Sequence, residues 1–416
     1  YPEILANERQ LAEWRNLYGI GEAKGGQKTL AGDRVNEAFL QSHPYLVIDT
    51  AFFDDDFTDR LLEHLRHPDG TPVEDLDEAI GGLMIKSENW QALNLLQERY
   101  REQVKCIYID PPYNTGNDEF VYRDNYQHSS WLSMMGDRYE SSWHLLTEDG
   151  SIFTSIDDRE QARLQFVQSS IFGDNNFMAN IIWQKKYSPQ NDAIGFSDNH
   201  DFITCYAKNK SEWRPNLLPR NEEQDSRYKN PDNDVRGPWK SVDLTSKTQA
   251  KGHSYPIVAP SGREFFPPQG RQWAPALDTF EKLLYDNRIW FGSDGTSTPS
   301  LKKFLTEVKQ GITPLTVWSF KEVGHNQEGT QELINLNLGS ELFSTPKVVR
   351  LLKRVVYIGA NQDSLVLDYF AGSGTTAHAV LNLNEEDGGK RKYILIEVGD
   401  YFYSITVPRI KKVSFS

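Results

Sequence analysis

An acid, two prolines and an aromatic residue follow directly on an apolar run in KCIYIDPPYNTG, residues 105–116. The run reads as a buried strand, but Pro111 and Pro112 have no N–H and cannot pair with a neighbouring strand. The stiff corner holds the Asp110 carboxylate and the Pro111 carbonyl as adjacent acceptors, with the Tyr113 ring beside them. This set suits a planar ligand that carries an amino group, such as adenine or cytosine.

A second loop, DYFAGSGTTA at 368–377, also follows an apolar run. Gly372, Gly374 and Ala377 have the G-x-G-x-x-A spacing, and Glu397 ends another apolar run 20 residues after Ala377. The glycines let the backbone approach a ligand, and an acid at the end of the next strand suits a ribose diol. A nicotinamide cofactor fits this pattern equally well, and a tight turn without any ligand also accounts for it.

Helices and short apolar strands alternate around both loops. The first half predicts the strand KCIYID, a helix over 131–146, a turn at TEDG, the strand SIFTSID and a helix over 158–172. The helical pattern returns at TPKVVRLLKRVVYIGA, and the strands SLVLDYF and KYILIEV complete a β-α-β unit with a helix between them. Near-continuous apolar strands separated by helices predict a mostly parallel sheet with helices on both faces.

The composition changes in the middle of the chain. From 209 to 325 Pro, Gly, Asn, Trp and Arg are frequent and helical periodicity is mostly absent, which indicates an inserted domain. We therefore divide the chain into an N-terminal segment of unknown role (1–80), a first half (81–208), the insertion (209–325) and a second half (326–416). Segment 1–80 offers no chemistry that we can assign.

The net charge of −14 over 416 residues argues against a surface that is basic throughout. The acid is unevenly placed: residues 1–100 hold 9 Lys+Arg against 19 Asp+Glu, a balance of −10, whereas 209–322 hold 17 against 14, a balance of +3. The middle of the chain can therefore face phosphates. The sequence has two cysteines, no CxxC metal signature and no run near the roughly 20 apolar residues that span a bilayer, so we expect a cytoplasmic protein with no metal.

The motif D-P-P-Y at 110–113 together with D-Y-F-A-G-S-G at 368–374 resembles the motif pair of the amino-methyltransferases that act on DNA. The catalytic motif comes first and the cofactor motif last, as in their beta group, whose motif order is circularly permuted. The segments YIDPPYNTGNDEFVYRDNY, FSTPKVVRLLKR and FAGSGTTAHAV are similar to the modification subunit of type III restriction systems. The likeness covers 81–412 and implies a Rossmann-like methyltransferase fold with an inserted target-recognition domain at 209–325.

By this resemblance the cofactor is S-adenosylmethionine and the target is the N6 amino group of an adenine flipped out of duplex DNA. The catalytic residues are then Asp110, Pro111, Pro112 and Tyr113. The residues expected at the cofactor are Thr345, Pro346, Asp368, Phe370, Ala371, Gly372, Gly374, Thr375 and Glu397, with Glu397 on the ribose and Asp368 on the methionyl amino group. Candidates for contact with DNA or the target base are Trp183, Lys185, Tyr187, Asn191, Arg214, Arg236 and Arg271, although a core residue, a solvated loop or scattered surface arginine explains them equally well.

Several alternatives stay open. Cytosine-N4 methylation is the second possibility, a non-catalytic DNA-recognition subunit is another, and a protein-glutamine methyltransferase is a weaker one because that group typically has Asn at the position of Asp110. Neither cysteine lies in a Pro-Cys motif, which argues against carbon-5 cytosine methylation. The resemblance further implies duplex DNA as partner, a homodimer, a restriction or helicase subunit, and a prokaryotic source. Type III modification subunits usually continue beyond the point where this chain stops.

Overall fold

The computed structural model describes residues 1–20, 35–66, 70–115, 126–189, 195–220, 225–248, 250–308, 311–339, 343 and 345–415. They form two compact units, one built from 1–216 and 314–416 and the other from 217–313.

The first unit begins with short helices and continues into alternating strands and helices. The N-terminal helices are α1 (Pro2–Ala6), α2 (Glu8–Tyr18), α3 (Glu37–Ser42), α4 (Asp55–Glu63) and α5 (Leu76–Ala79). They are followed by β1 (Gly82–Lys86), α6 (Asn89–Tyr100), β2 (Val104–Ile109), α7 (His128–Leu145), β3 (Leu146–Ile156), α8 (Gln161–Phe172), β4 (Phe177–Gln184) and β5 (His200–Ala207).

The second unit consists of short antiparallel strands and one described helix. Its elements are β6 (Trp239–Asp243), β7 (Thr245–Ser246), β8 (Ile257–Val258), β9 (Glu264–Phe265), β10 (Gln272–Trp273), α9 (Leu277–Tyr285), β11 (Ile289–Trp290) and β12 (Ser300–Phe304). It has an apolar core of its own around Leu244, Trp273, Phe280 and Phe291.

The chain then returns to the first unit. The remaining elements are β13 (Val317–Trp318), α10 (Phe320–Val323), α11 (Asn326–Asn335), α12 (Val349–Gly359), β14 (Leu365–Asp368), α13 (Thr375–Asp387), β15 (Lys392–Glu397) and α14 (Thr406–Phe415).

Eight strands of the first unit form one sheet in the order β1-β15-β14-β2-β3-β5-β4-β13. All neighbours are parallel except β5, which runs antiparallel to both β3 and β4. The predicted Rossmann-like, mostly parallel sheet is thus confirmed. The strand before the D-P-P-Y corner, β2, lies beside β14, the strand before the glycine turn, although more than 250 residues separate them in the chain.

Strand β2 is covered on both of its faces. Ile107 and Ile109 join the buried apolar cluster that includes Trp131 and Met135 of α7. On the opposite face, Cys106 lies so close to Gly359 of α12 that a Cβ there would come within 2.7 Å of its sulfur. This alternation along a strand that is buried except at Lys105 fixes the end of β2 between two packed layers.

Four N-terminal helices, α1 to α4, share an apolar cluster with α14, the last described helix. Trp14, Phe39 and Phe57 form a buried cluster to which Phe415 of α14 contributes. Lys411 of α14 bonds to Asp49 over 2.6 Å. Segment 1–80, for which the sequence suggested no role, therefore supports α14 at least in part.

One local prediction is wrong. The predicted turn at TEDG is part of β3, which begins at Leu146 and runs on to Ile156. Leu146 pairs with Val104 of β2, and the next paired residue of β3 is Ser151, opposite Cys106. The TEDG residues between them therefore form an irregularity within β3. No helix among the described residues is long and apolar enough to cross a membrane.

Candidate active site

The corner at 110–113 begins where β2 ends at Ile109. The Trp131 side chain, fully buried in α7, donates its indole N–H to the Pro112 carbonyl over 2.8 Å. Because a proline corner cannot continue the ladder, this bond supplies the donor that a neighbouring strand would otherwise provide. The corner is thus fixed to α7 as well as to the sheet.

Asn114 fixes the exit from the corner. Its backbone has a φ of +58°, a left-handed value that asparagine tolerates better than most residues. Its side-chain amide donates to the buried Glu160 over 2.7 Å, and its side-chain oxygen accepts from the Tyr126 N–H over 2.7 Å. These bonds connect the corner to α8 and to the chain just before α7.

The Asp110 carboxylate is paired with a lysine. Lys347 Nζ lies 2.9 Å from Asp110 Oδ1, and the Asp110 side chain is 25% exposed. Burial raises the pKa of Asp110 above its ordinary value, while the Lys347 charge acts in the opposite direction. The carboxylate that is predicted to be an acceptor is therefore paired with a cation in this structure.

The same lysine contacts Tyr113. Lys347 Nζ donates to the Tyr113 hydroxyl over 3.0 Å and lies 5.0 Å from the centre of its ring. The hydroxyl donates in turn to Asp201 Oδ2 over 3.4 Å. Burial and the two neighbouring carboxylates raise the pKa of Tyr113 well above its ordinary value, so the phenol is neutral.

The glycine turn leaves the sheet at the same edge. Leu367 pairs with Ile107 in parallel register, so the chain beyond β14 and the chain beyond β2 emerge side by side. Gly372 has a φ of +52°, and its N–H donates to Glu397 Oε2 over 2.8 Å. The Thr375 hydroxyl donates to the Lys347 carbonyl over 3.2 Å, which links the turn to the segment that carries this lysine.

A buried arginine supports the turn from beneath. Arg409 of α14 is fully buried and donates to the hydroxyls of Ser373 and Thr375 over 2.9 and 3.0 Å. It also pairs with Glu332 at 3.4 Å, and burial raises the pKa of Glu332 to about 7. The turn is thus held by α14, which the N-terminal helices support.

Asp368 is the last residue of β14 and is almost fully buried. Its carboxylate accepts from the Phe370 N–H over 3.0 Å and from the Thr376 hydroxyl. Burial raises the pKa of Asp368 to about 7, and the neighbouring Asp110 and Glu397 charges act in the same direction. A cation placed beside Asp368 would stabilise its charged form.

Two cavities open beside these residues, and Phe370 lines both. The small cavity, of about 50 Å³, is lined by Tyr108, Asp110, Phe343, Lys347, Leu352, Asp368, Phe370, Ala371, Gly372, Ser373, Thr375 and Thr376. The second cavity, of about 210 Å³, is lined by Ser87, Glu88, Asn89, Pro112, Tyr126, Met134, Arg138, Tyr369, Phe370, Ile396, Glu397 and Val398. The corner and the glycine turn therefore share one cavity wall, and Glu397 lies in the adjoining cavity.

A larger cavity of about 510 Å³ lies elsewhere, at the opposite edge of the sheet. It is lined by residues near the starts of strands, including Gly82, Lys105 and Leu365. Ligands of open α/β sheets bind beyond the carboxyl ends of strands, so the two smaller cavities form the candidate active site.

The other residues predicted at the cofactor fall into two groups. Gly374 is the N-terminal cap residue of α13, and it is not among the residues that line the small cavity. Thr345 is exposed and Pro346 is buried, and the cavity is lined instead by Phe343 and Lys347 on either side of them.

The predicted target-base residues are differently placed. Trp183 is fully buried and donates to the Gly324 carbonyl over 3.0 Å. Lys185 pairs with Asp201 at 2.6 Å and with Asp198 at 3.3 Å. Tyr187 is 55% exposed, and Asn191 lies outside the described residues.

The three predicted arginines all make contacts within their own units. Arg214, in the first unit, is exposed and donates to nearby backbone carbonyls. In the second unit, Arg236 pairs with Asp234 at 2.7 Å and Arg271 pairs with Asp243 at 2.9 Å. Their roles toward DNA remain predictions.

Lys347 and, in the wall of the second cavity, Asn89 and Arg138 were not predicted from the sequence. Lys347 stands within the segment FSTPKVV that carried the resemblance, but nothing in its local sequence indicates a partner more than 230 residues away. In the second cavity, Asn89 donates to the Tyr369 carbonyl over 2.9 Å, and the Arg138 guanidinium donates to Asn89 and Glu88. Among the described residues, no group of three or more His, Cys, Asp or Glu could hold a metal ion.

Comparison with known proteins identifies relatives. A family model described as DNA methylase matches residues 104–408. The StyLTI Mod subunit of a type III restriction-modification enzyme from Salmonella typhimurium is 35% identical over 79% of this chain and 54% of its own length. The EcoPI Mod subunit from Escherichia phage P1 is 33% identical over 76% of this chain and 57% of its own length. The chain thus spans about half the length of these relatives.

A similar solved structure is the PvuII DNA methyltransferase (cytosine-N4-specific). It has a TM-score of 0.43 and 13% sequence identity, and the match covers 81% of this chain and 86% of that chain.

Proposed function

This chain belongs to the DNA methylase family, and from that membership we propose that it transfers a methyl group from S-adenosylmethionine to the exocyclic N6 of a flipped-out adenine in duplex DNA. The observation that carries the proposal is the small cavity, because Asp110 of the corner and Gly372 of the glycine turn both line it. An amino group held at Asp110 and a cofactor held at the turn would lie next to each other.

Asp110 and the Pro111 carbonyl are proposed to bind the target amine. The lone pair of an exocyclic amine is delocalised into the base, which makes the nitrogen a weak nucleophile. Two acceptors that accept hydrogen bonds from its N–H groups localise the lone pair, and the half-buried, rigid corner holds these acceptors in place before the base arrives. Asp110 is also suited to draw off the proton as the nitrogen becomes acidic. Tyr113 supplies the stacking ring.

The residues around the two cavities fit the cofactor. Asp368 offers a buried carboxylate to the methionyl amino group, and Phe370 lines both cavities. The Glu397 oxygens accept from the N–H groups of Gly372 and Gly399, and a carboxylate has further lone pairs for a ribose hydroxyl. S-adenosylmethionine, when bound, supplies the methyl group on a sulfonium ion.

The base is tested by digesting methylated DNA to nucleosides and identifying the modified one by mass. We expect N6-methyladenine. N4-methylcytosine as the only product would overturn the adenine assignment, and an unmodified digest would favour a non-catalytic DNA-recognition role.

We further propose that the protein is the modification subunit of a type III restriction-modification system, as the relatives at 35% and 33% identity are named. The proposal includes a restriction or helicase partner, a homodimer, a cytoplasmic location and target recognition by 209–325. The separate compact unit at 217–313 supports the last of these. Sequencing that detects modified bases in DNA from cells expressing the protein reports the recognition site. Modification scattered without a common sequence would contradict site-specific recognition.

A further inference from the structure

The Lys347 side chain occupies the space between the predicted catalytic residues. It is 13% exposed, pairs with Asp110 Oδ1 at 2.9 Å and donates to the Tyr113 hydroxyl over 3.0 Å. Its ammonium group also lies 5.6 Å from the centre of the buried Trp183 ring. A carboxylate, a hydroxyl group and an aromatic ring therefore surround the ammonium ion.

The backbone of Lys347 is tied to the cofactor side of the site. Its carbonyl accepts from the Thr375 hydroxyl, which Arg409 also contacts. Two residues on, the Val349 N–H donates to Glu332, the partner of Arg409. Lys347 therefore bridges the glycine turn, through its main chain, and the Asp110 corner, through its side chain.

The groups that face Asp110 are mostly acidic or neutral. Asp201, Asp368 and the phenols of Tyr108 and Tyr113 all interact electrostatically with it, and Lys185 acts at one remove through its pair with Asp201. Burial and Asp201 both disfavour a charged Asp110, and Lys347 is the largest influence in its favour. Without this cation, burial and the Asp201 charge would raise the pKa of Asp110 further, and a protonated carboxyl group has one acceptor position fewer.

We infer that Lys347 is a positioning residue for methyl transfer, whose ammonium ion keeps the Asp110 carboxylate charged and oriented so that it can accept an N–H of the target amine. The inference rests on the proposed function for its catalytic meaning. Because the ammonium occupies one carboxylate oxygen, the other is the one available to the amine.

The test compares Lys347→Met with Lys347→Arg and with the control Lys353→Met. Lys353 lies on the adjacent helix α12 and pairs with Glu386 at the surface, so its loss removes a lysine charge without touching Asp110. Single-turnover methyl transfer is measured across pH at saturating S-adenosylmethionine and DNA. Lys347→Gln serves as the second variant if Lys347→Met does not fold.

In Lys347→Met we expect the acidic limb of the pH–rate profile to move to higher pH by about one unit or more. The rate at pH 7 should fall by a factor of up to about ten, and it should recover at higher pH. Lys347→Arg should restore most of the rate, and Lys353→Met should match the wild type. A rate that falls by the same factor at every pH, or that does not fall, would overturn the inference.

A second measurement reads Asp110 directly. In protein labelled with ¹³C at aspartate side-chain carboxyls, the Asp110 signal, assigned with Asp110→Asn, should titrate at higher pH in Lys347→Met than in the wild type. If the wild type transfers no methyl group, the proposed function fails but this titration still decides the inference. An unchanged Asp110 titration would refute it.

Discussion

Gly372→Ala is expected to impair cofactor binding out of proportion to its effect on folding. At its φ of +52° a residue with a Cβ costs roughly 1–2 kcal/mol. The new Cβ would also lie 3.0 Å from Cζ of Phe343, which lines the small cavity. Carbon atoms prefer separations of about 3.5–4.0 Å, so the ring must shift by about half an ångström or more. In a cavity of about 50 Å³, such a shift changes its shape.

Gly388→Ala is the matched control. Gly388 caps the other end of α13 with a φ of +69°, and no atom lies within 4 Å of an added Cβ there. Urea unfolding should show about 1–2 kcal/mol of lost stability for both variants. Isothermal titration should show about tenfold weaker binding of S-adenosylmethionine, or about 1.4 kcal/mol, for Gly372→Ala only. Equal affinities in the two variants would refute the placement of the cofactor in the small cavity.

Further predictions concern buried charges and the support of the corner. Burial raises the pKa of Asp368 to about 7, and a cationic ligand favours the ionised form of this carboxyl group. The affinity for S-adenosylmethionine, measured by calorimetry, should therefore fall as the pH is lowered from 8 to 6. This pH dependence should be lost in Asp368→Asn. Arg409→Met removes the cation beside Glu332, whose pKa is already raised to about 7. Because Glu332 is ionised at pH 8 and mostly protonated at pH 6, the loss of unfolding free energy, about 3 kcal/mol, should be larger at pH 8 than at pH 6 in urea titrations. Equal losses at the two pH values would contradict this. Trp131→Phe leaves the Pro112 carbonyl without its hydrogen-bond donor. Urea unfolding should show a loss of about 1–3 kcal/mol of stability, and methyl transfer should be slower. A variant with full stability would show that the bond is dispensable.

The sequence allowed us to predict that Asp110 and Gly372 lie close together, because of the way parallel strands end in a sheet. Both residues follow apolar strands, and carboxyl ends of parallel strands emerge at one edge. Local sequence patterns do not show that β2 and β14 are neighbours. That expectation came from the resemblance to a family in which the two motifs belong to one active site. The irregularity within β3 was missed because TEDG has the composition of a turn, while pairing with β2 on both sides of it keeps it in the strand.

The role of Lys347 could not be predicted from local pattern. A lysine between Pro346 and Val348 has no distinguishing neighbour, and its environment arises only when β2, β14 and the segment before α12 come together. The same holds for Arg409, whose burial depends on α13 and on the turn above it. Such contacts between residues distant in the chain are set by tertiary packing, which periodicity does not encode.

The central proposal is that Asp110 binds the target amine for methyl transfer. It is tested most directly by following label from methyl-labelled S-adenosylmethionine into duplex DNA with the wild type and Asp110→Ala, after calorimetry has shown that both bind the cofactor. We expect label in adenine from the wild type and a loss of about 100-fold or more in the variant, in keeping with the removal of a general base and acceptor. Equal labelling by the two proteins would contradict the proposal.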